Sequence, residues 1–171
     1  MIAELSPADF DAALAGLAEV LHACVLDGAS VGFILPFSLG DARAFWVGQL
    51  AALQSGDKRI LVARDSERVV GTTMLIVGMP PNGAQRGEIA KVLVHPAARR
   101  HGIARALMLA VETCARQAGK RTLVLDTAGD AAEQLYLALV WRAAGIVPAY
   151  ALDVHGVLER TIFMFKELSD A

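Results

Sequence analysis

Apolar and polar positions alternate along this chain in blocks that read as a succession of strands and helices. Ile2 to Leu5 is a short strand. Ser6-Pro7-Ala8-Asp9 supplies a cap, a first-position proline and an acidic third position, so a helix starts there. Leu14, Leu17, Val20, Leu21 and Val25 carry its apolar stripe to Asp27-Gly28. A loop from Gly28 to Ser38 follows, rich in glycine, serine and apolar residues, and then a second helix from Gly40 to Gln54. Lys58 to Ala63 and Val69 to Val77 are strands joined by the polar turn Asp65-Ser66-Glu67-Arg68, a hairpin signal. Glu88 to His95 is a further strand, halted by Pro96.

Ile103, Leu107, Ala110, Val111 and Cys114 trace one helical face that Gly119 ends. Thr122 to Asp126 is a short buried strand, Ala131 to Ala143 a helix closed by Gly145, and Ile146 to Asp153 with Thr161 to Lys166 a closing strand pair. Antiparallel strands that feed a β-α-β unit imply an α/β (α+β) fold with a mixed sheet and helices on both faces. At 171 residues, with no repeat or linker, the chain reads as one domain spanning 1–171.

Composition narrows the function. The chain is 55% hydrophobic and 20% charged, which excludes disorder. Sixteen basic against eighteen acidic residues give a formal charge of −2, so no global positive field favours nucleic acid. The two cysteines, Cys24 and Cys114, make no disulfide framework, and the four histidines show no paired metal spacing, so no metal is expected. The longest uncharged stretch, Val69 to Gln85, is interrupted by Pro80-Pro81-Asn82-Gly83 and cannot be one membrane helix. Glu4 and Asp9 with no basic leader argue against a signal peptide, so a soluble cytoplasmic protein without membrane partners is expected. The apolar content and the paired apolar strands at the end leave room for a homodimer.

The chemistry concentrates in Val92-Leu93-Val94-His95-Pro96-Ala97-Ala98-Arg99-Arg100-His101-Gly102-Ile103-Ala104-Arg105: a strand, a basic loop, then a helix. The loop has no acidic side chain. Its main-chain amides from Arg99 to Ala104 are the donors a helix start leaves unpaired, where the dipole also favours an anion. Gly102 and Ala104 are small, and Arg99 and Arg100 add positive charge. These features point to a phosphate or pyrophosphate and do not say which ligand carries it. No Walker loop and no G-x-G-x-x-G fingerprint is present.

The Arg99-x-x-Gly102-x-Ala104 loop resembles the Q/R-x-x-G-x-G/A pattern of the GNAT N-acetyltransferases. Ala132-Glu133-Gln134-Leu135-Tyr136 followed by Trp141-Arg142 is similar to that family's A-x-x-L-Y…G-W/F segment. Glu4-Leu5-Ser6, Gly28 to Phe33, Pro148 to Leu152 and Phe163 to Lys166 look like the subgroup that includes tabtoxin resistance protein. Two departures exist: Val140 stands where the family has glycine before the aromatic, and Ala104 replaces the commoner glycine.

The resemblance implies a GNAT-type sheet with a splayed parallel strand pair and direct acetyl transfer from acetyl-CoA to an amine. It implies that Arg99, Arg100, His101, Gly102, Ile103, Ala104 and Arg105 hold the pyrophosphate. Val92, Leu93 and Val94 would bind the pantetheine arm, with the Val94 amide as oxyanion donor. Tyr136 would be the acid that protonates the sulfur. Glu88 and Asp126 are base candidates; Asp126 faces the site because the C-terminal ends of parallel strands gather at the crevice. His95 is a rival base. Phe33, Leu35, Phe37, Trp46 and Tyr150 are candidates for the acceptor pocket, although packing suits Trp46 better. The expected acceptor is a small molecule, such as an amino-acid-like toxin or antibiotic. A protein or peptide amine, and a non-catalytic CoA-binding module, are the alternatives.

Overall fold

The computed structural model describes residues 1–168. The element order is β1 (Ile2–Glu4), α1 (Phe10–Leu26), α2 (Leu39–Val47), α3 (Leu50–Ser55), β2 (Lys58–Asp65), β3 (Arg68–Ile76), β4 (Arg86–Val94), α4 (Ile103–Gln117), β5 (Thr122–Thr127), α5 (Asp130–Ala138), β6 (Arg142–Leu152) and β7 (Leu158–Glu167). The strands form one seven-stranded sheet in the order β1-β2-β3-β4-β5-β7-β6. All neighbours are antiparallel except β4 and β5.

Alternation along each strand splits the core in two. Ile60, Met74 and Leu93 point to one face, where they pack with Leu14, Leu17 and Leu21 of α1 and with Trp46 and Leu53. Leu75, Ile89, Leu123, Leu125 and Met164 point to the other, against Leu107, Met108 and Val111 of α4 and against Tyr136 and Trp141. Missing side chains let the layers close. A Cβ on Gly16 of α1 would lie 2.9 Å from Val69 Cβ, and one on Gly71 of β3 would lie 3.2 Å from the Ile103 and Leu107 side chains of α4.

The hydrophobic pattern located every one of these elements, with two corrections at boundaries. The expected helix over 40–54 is two helices. Gln49 N–H bonds the Trp46 carbonyl instead of continuing the ladder, and its side-chain amide donates to the Phe45 carbonyl at 3.0 Å. The expected helix over 131–143 ends at Ala138, and β6 starts already at Arg142. Val140 turns left-handed there, with φ of 65°. Its N–H bonds the Leu137 carbonyl, and the Trp141 N–H bonds the Tyr136 carbonyl, both at 3.0 Å. That pair of bonds is a Schellman stop, a site where glycine is usual.

Among the described residues, no helix is long and apolar enough to cross a membrane.

Candidate active site

The parallel pair β4–β5 is bonded over only three positions, Arg86–Thr122, Gly87–Leu123 and Glu88–Val124. Beyond Glu88 the two strands part. An irregularity in β4 accompanies the parting: Ala90 pairs with Met74 and Leu93 with Thr72, so Lys91 and Val92 together face the single residue Thr73. A β-bulge of this kind bends the strand and ends its pairing on one side. The result is an open cleft of about 560 Å³ between β4, β5 and the N-termini of α4 and α5.

The splay exposes main-chain polar groups selectively. The His95 N–H donates to the Val70 carbonyl at 2.9 Å, so it points toward β3. Alternation then turns the polar groups of Val94 the other way, into the gap, and those of Leu93 back toward β3, where Leu93 pairs with Thr72. Of the three residues expected to offer their backbone to a ligand, Leu93 is therefore the one that sheet pairing occupies. The Val94 carbonyl accepts from Cys24 Sγ and from Arg99 Nε, each at 3.3 Å.

At the mouth of the cleft, Arg100 and Gly102 adopt left-handed conformations, with φ of 70° and 76°. This winds the loop so that the N–H groups of Arg100, His101, Gly102, Ile103, Ala104 and Arg105 find no main-chain acceptor among the described residues. Arg99 departs from the expectation: its N–H closes the preceding turn onto the Pro96 carbonyl at 3.3 Å. Its guanidinium is also engaged, paired with Asp27 just past α1. The free donors thus run from 100 to 105. Arg100, Gly102, Ile103, Ala104 and Arg105 line the cleft.

Tyr136 lines the same cleft from α5. The residue is 6% exposed, and its hydroxyl has no hydrogen-bond partner among the described residues. Burial, with a smaller contribution from the negative charge of Asp126, pushes its pKa up to about 12. The phenol therefore holds its proton throughout the neutral range. Its position is braced from below. The Trp141 ring lies 6.0 Å from the Tyr136 ring, and Trp141 Nε1 donates to the buried Glu112 carboxylate at 3.0 Å. Lys166 Nζ donates to both oxygens of Glu112 and to the Leu139 carbonyl. This satisfied ion pair ties α4, β7 and the end of α5 together beneath the tyrosine.

The two carboxylates occupy different depths. Asp126, near the end of β5, lines the cleft and is exposed. Glu88 sits at the last bonded parallel pair, half-buried on the same sheet face, outside the cleft lining. His95 is placed differently: its Nδ1 accepts from the Ala97 N–H at 3.2 Å and caps the turn that follows.

The aromatic candidates divide. Trp46 is fully buried, and its Nε1 donates to the Leu17 carbonyl at 3.0 Å, so it belongs to the core. Phe37 is also buried. Phe33 packs against Phe37 and Phe45, and the Lys91 ammonium lies over the Phe33 and Phe45 rings. Tyr150 sits edge-on to Phe163 on the open half of that face.

The cleft wall also takes in residues that were not site candidates, among them Lys91 on the bulge, Cys24 of α1, Ala29 to Val31 after that helix, and the turn from Thr127 to Ala132. Lys91 had a local signal, as the one basic residue in the apolar run Ile89 to Val94.

Known proteins agree with this architecture. The family model described as acetyltransferase (GNAT) matches residues 30–139. An IAA acetyltransferase of Azospirillum brasilense is 32% identical over 119 residues, which is 70% of this chain and 74% of that protein. A putative acetyltransferase of Salmonella typhimurium, solved with its cofactor acetyl-CoA, superposes with a TM-score of 0.78 at 21% identity, over 100% of this chain and 95% of its own. A phosphinothricin acetyltransferase of Sinorhizobium meliloti in complex with acetyl-CoA gives 0.80 at 20% identity, over 98% and 88%. A splayed parallel pair, a helix start with unspent donors and the match along most of the sequence lead to one conclusion: this chain is a member of the GNAT acetyltransferase family.

Proposed function

We propose that this protein transfers the acetyl group of acetyl-CoA directly to the amine of a small molecule. The observation that carries the proposal is the coincidence, in one cleft, of a row of unspent main-chain donors and an unpartnered tyrosine hydroxyl. Two structural relatives solved with acetyl-CoA support the choice of donor.

The residues fit such a ligand. The N–H groups of 100 to 105, reinforced by the α4 dipole and the Arg100 and Arg105 side chains, suit a diphosphate. His101 contributes its main-chain N–H. Arg99 serves as a strut: bound to Asp27 and to the Val94 carbonyl, it joins α1 to the end of β4. Val92 and Val94 line the gap that a pantetheine arm fills, and Leu93 contributes packing on the α1 side.

Acetyl-CoA, when bound, supplies an acyl group activated as a thioester. Asp126 is the base that takes the proton from the acceptor ammonium, because it stands in the cleft. Glu88, one step deeper on the same face, is the second carboxylate that draws the cation in. The Val94 N–H, turned into the gap, is aimed at the carbonyl oxygen on which charge develops. Tyr136 is protonated across the neutral range because of its raised pKa, and its hydroxyl is the donor that meets the leaving sulfur as negative charge builds there.

The acceptor is amino-acid-like, in line with the resemblance to the tabtoxin-resistance subgroup. The protein acts in the cytoplasm. A second copy packs on the outer strand β6, where Ile146, Val147, Tyr150 and Leu152 are exposed beside Leu158 of β7. The test of the transfer is a screen of amine acceptors, read by release of free thiol from acetyl-CoA. Thiol release that depends on an added amine is expected. Binding of acetyl-CoA with no amine-dependent release would leave a CoA-binding module instead.

A further inference from the structure

Lys91 is the basic group in the cleft that the transfer mechanism leaves without a task. Strict alternation would send its side chain to the α4 face, because Ala90 belongs to the α1 face. The bulge prevents this. Lys91 takes a left-handed φ of 54°, a conformation that costs a residue with a Cβ about 1–2 kcal/mol. The side chain returns to the α1 face, and its Nζ comes to rest 5.8 Å from the Phe33 ring centroid and 5.4 Å from that of Phe45. A Cβ on Gly32 would come within 3.9 Å of the same atom.

This ammonium carries three donors and bonds none of them to an acceptor among the described residues. Asp126 and Glu88 act on it through space only, and Lys58 opposes them. Burial disfavours its charge and pulls its pKa down. The two rings hold the cation by their faces, which leaves its donors unspent. A half-buried ammonium with no hydrogen-bond acceptor is open to an anionic partner. Among the described residues none is in bonding contact, and Lys91 and Asp126 line the same cleft.

We propose that Lys91 determines acceptor specificity by receiving a carboxylate of the substrate, so that the acceptors are amines that also carry a carboxylate. The amine end lies toward Asp126 and the anionic end toward the Lys91 ammonium. The proposal rests on the transfer reading above and narrows its substrate class.

Matched acceptors test it: amino acids against their carboxamides, each assayed by thiol release with wild type, Lys91→Met and Lys91→Arg. Methionine keeps the length and the contact with the rings and removes the charge. Wild type is expected to favour the acid over its amide by roughly 10- to 100-fold in kcat/KM, the range of a charge-assisted pair. Lys91→Met should erase that preference, and Lys91→Arg should restore part of it. Equal use of acid and amide by wild type, or a preference that survives in Lys91→Met, overturns the assignment and leaves the transfer reading intact.

If wild type turns over no amine at all, the transfer reading fails, and a second measurement judges Lys91 on its own. The Lys91 Cε–Nζ NMR signal, identified by its loss in Lys91→Met, is followed while N-acetylglycine or N-acetylglycinamide is added to the CoA-saturated protein. A shift with the acid alone supports the carboxylate site. A shift with both, or with neither, rejects it.

Discussion

Replacing Val140 with glycine should make this protein more stable, although the change deletes apolar atoms. Val140 occupies the left-handed position of the Schellman stop after α5, with φ of 65°. A Cβ in that conformation costs about 1–2 kcal/mol, and a β-branched side chain lies at the upper end. Glycine removes the strain but enters the folded state with more chain entropy to lose, which takes back about 0.5–1 kcal/mol. The side chain is 77% exposed, so little burial is forfeited. The net gain is about 1 kcal/mol, or roughly 2–4 °C in Tm for a chain of this size. Thermal unfolding of Val140→Gly and of Val140→Ala beside wild type measures it. Alanine should fall between the other two, because it loses the branch and keeps the Cβ. A glycine variant that melts at or below wild type would refute the strain argument, and would show that the Tyr136 and Leu137 carbonyl bonds hold this turn without cost.

Three further outcomes follow from the cleft. Tyr136→Phe should lower kcat by roughly 10²- to 10⁴-fold, the usual range for a lost general acid, with the acetyl-CoA KM little changed; steady-state kinetics that show wild-type turnover would remove the phenol from this role. The same tyrosine makes the fold sensitive to alkali. Its pKa is about 12 folded against 10 unfolded, so the stability it confers is complete below pH 10 and is lost as pH rises toward 12, about 2–3 kcal/mol in all. Denaturant unfolding should therefore weaken more steeply across that window in wild type than in Tyr136→Phe, and parallel curves would contradict the burial of the hydroxyl. Gly102→Asp should abolish acetyl-CoA binding in calorimetry, because it strains a φ of 76° and sets a negative charge among the donors meant for phosphate; wild-type affinity would displace the phosphate site.

Much of this was legible in the sequence, because the signals are local. Ser6 and Pro7 open the first helical turn, the Ile103 to Cys114 stripe faces the sheet, and the polar turn at Asp65 to Arg68 joins a hairpin. The basic loop was legible for the same reason: helix starts leave donors unpaired whatever surrounds them. The parts that were not legible share a cause, since each depends on a partner distant in sequence. Arg99 reads as a basic loop residue, and nothing local announces that its guanidinium pairs with Asp27, 72 residues away. Trp46 reads as a packing residue, and the structure shows the partner that composition could not name, the Leu17 carbonyl that takes its indole N–H. The helix over 131–143 reads as continuous because valine, unlike glycine, does not announce a left-handed stop. Lys91 is hidden in the sequence because alternation alone points it at the wrong face. Only the bulge opposite Thr73 brings it back into the cleft.

Acetyl transfer in this cleft requires the donors between Arg100 and Arg105 to be the seat of a diphosphate. Backbone amide shifts of ¹⁵N-labelled protein, followed while acetyl-CoA and then S-acetylpantetheine are added, test that directly. Acetyl-CoA should move the signals of residues 100 to 105 most strongly, and S-acetylpantetheine, which lacks the diphosphate, should leave them nearly still while it shifts Val92 and Val94. Loop signals that stay fixed as acetyl-CoA saturates the protein would contradict the account.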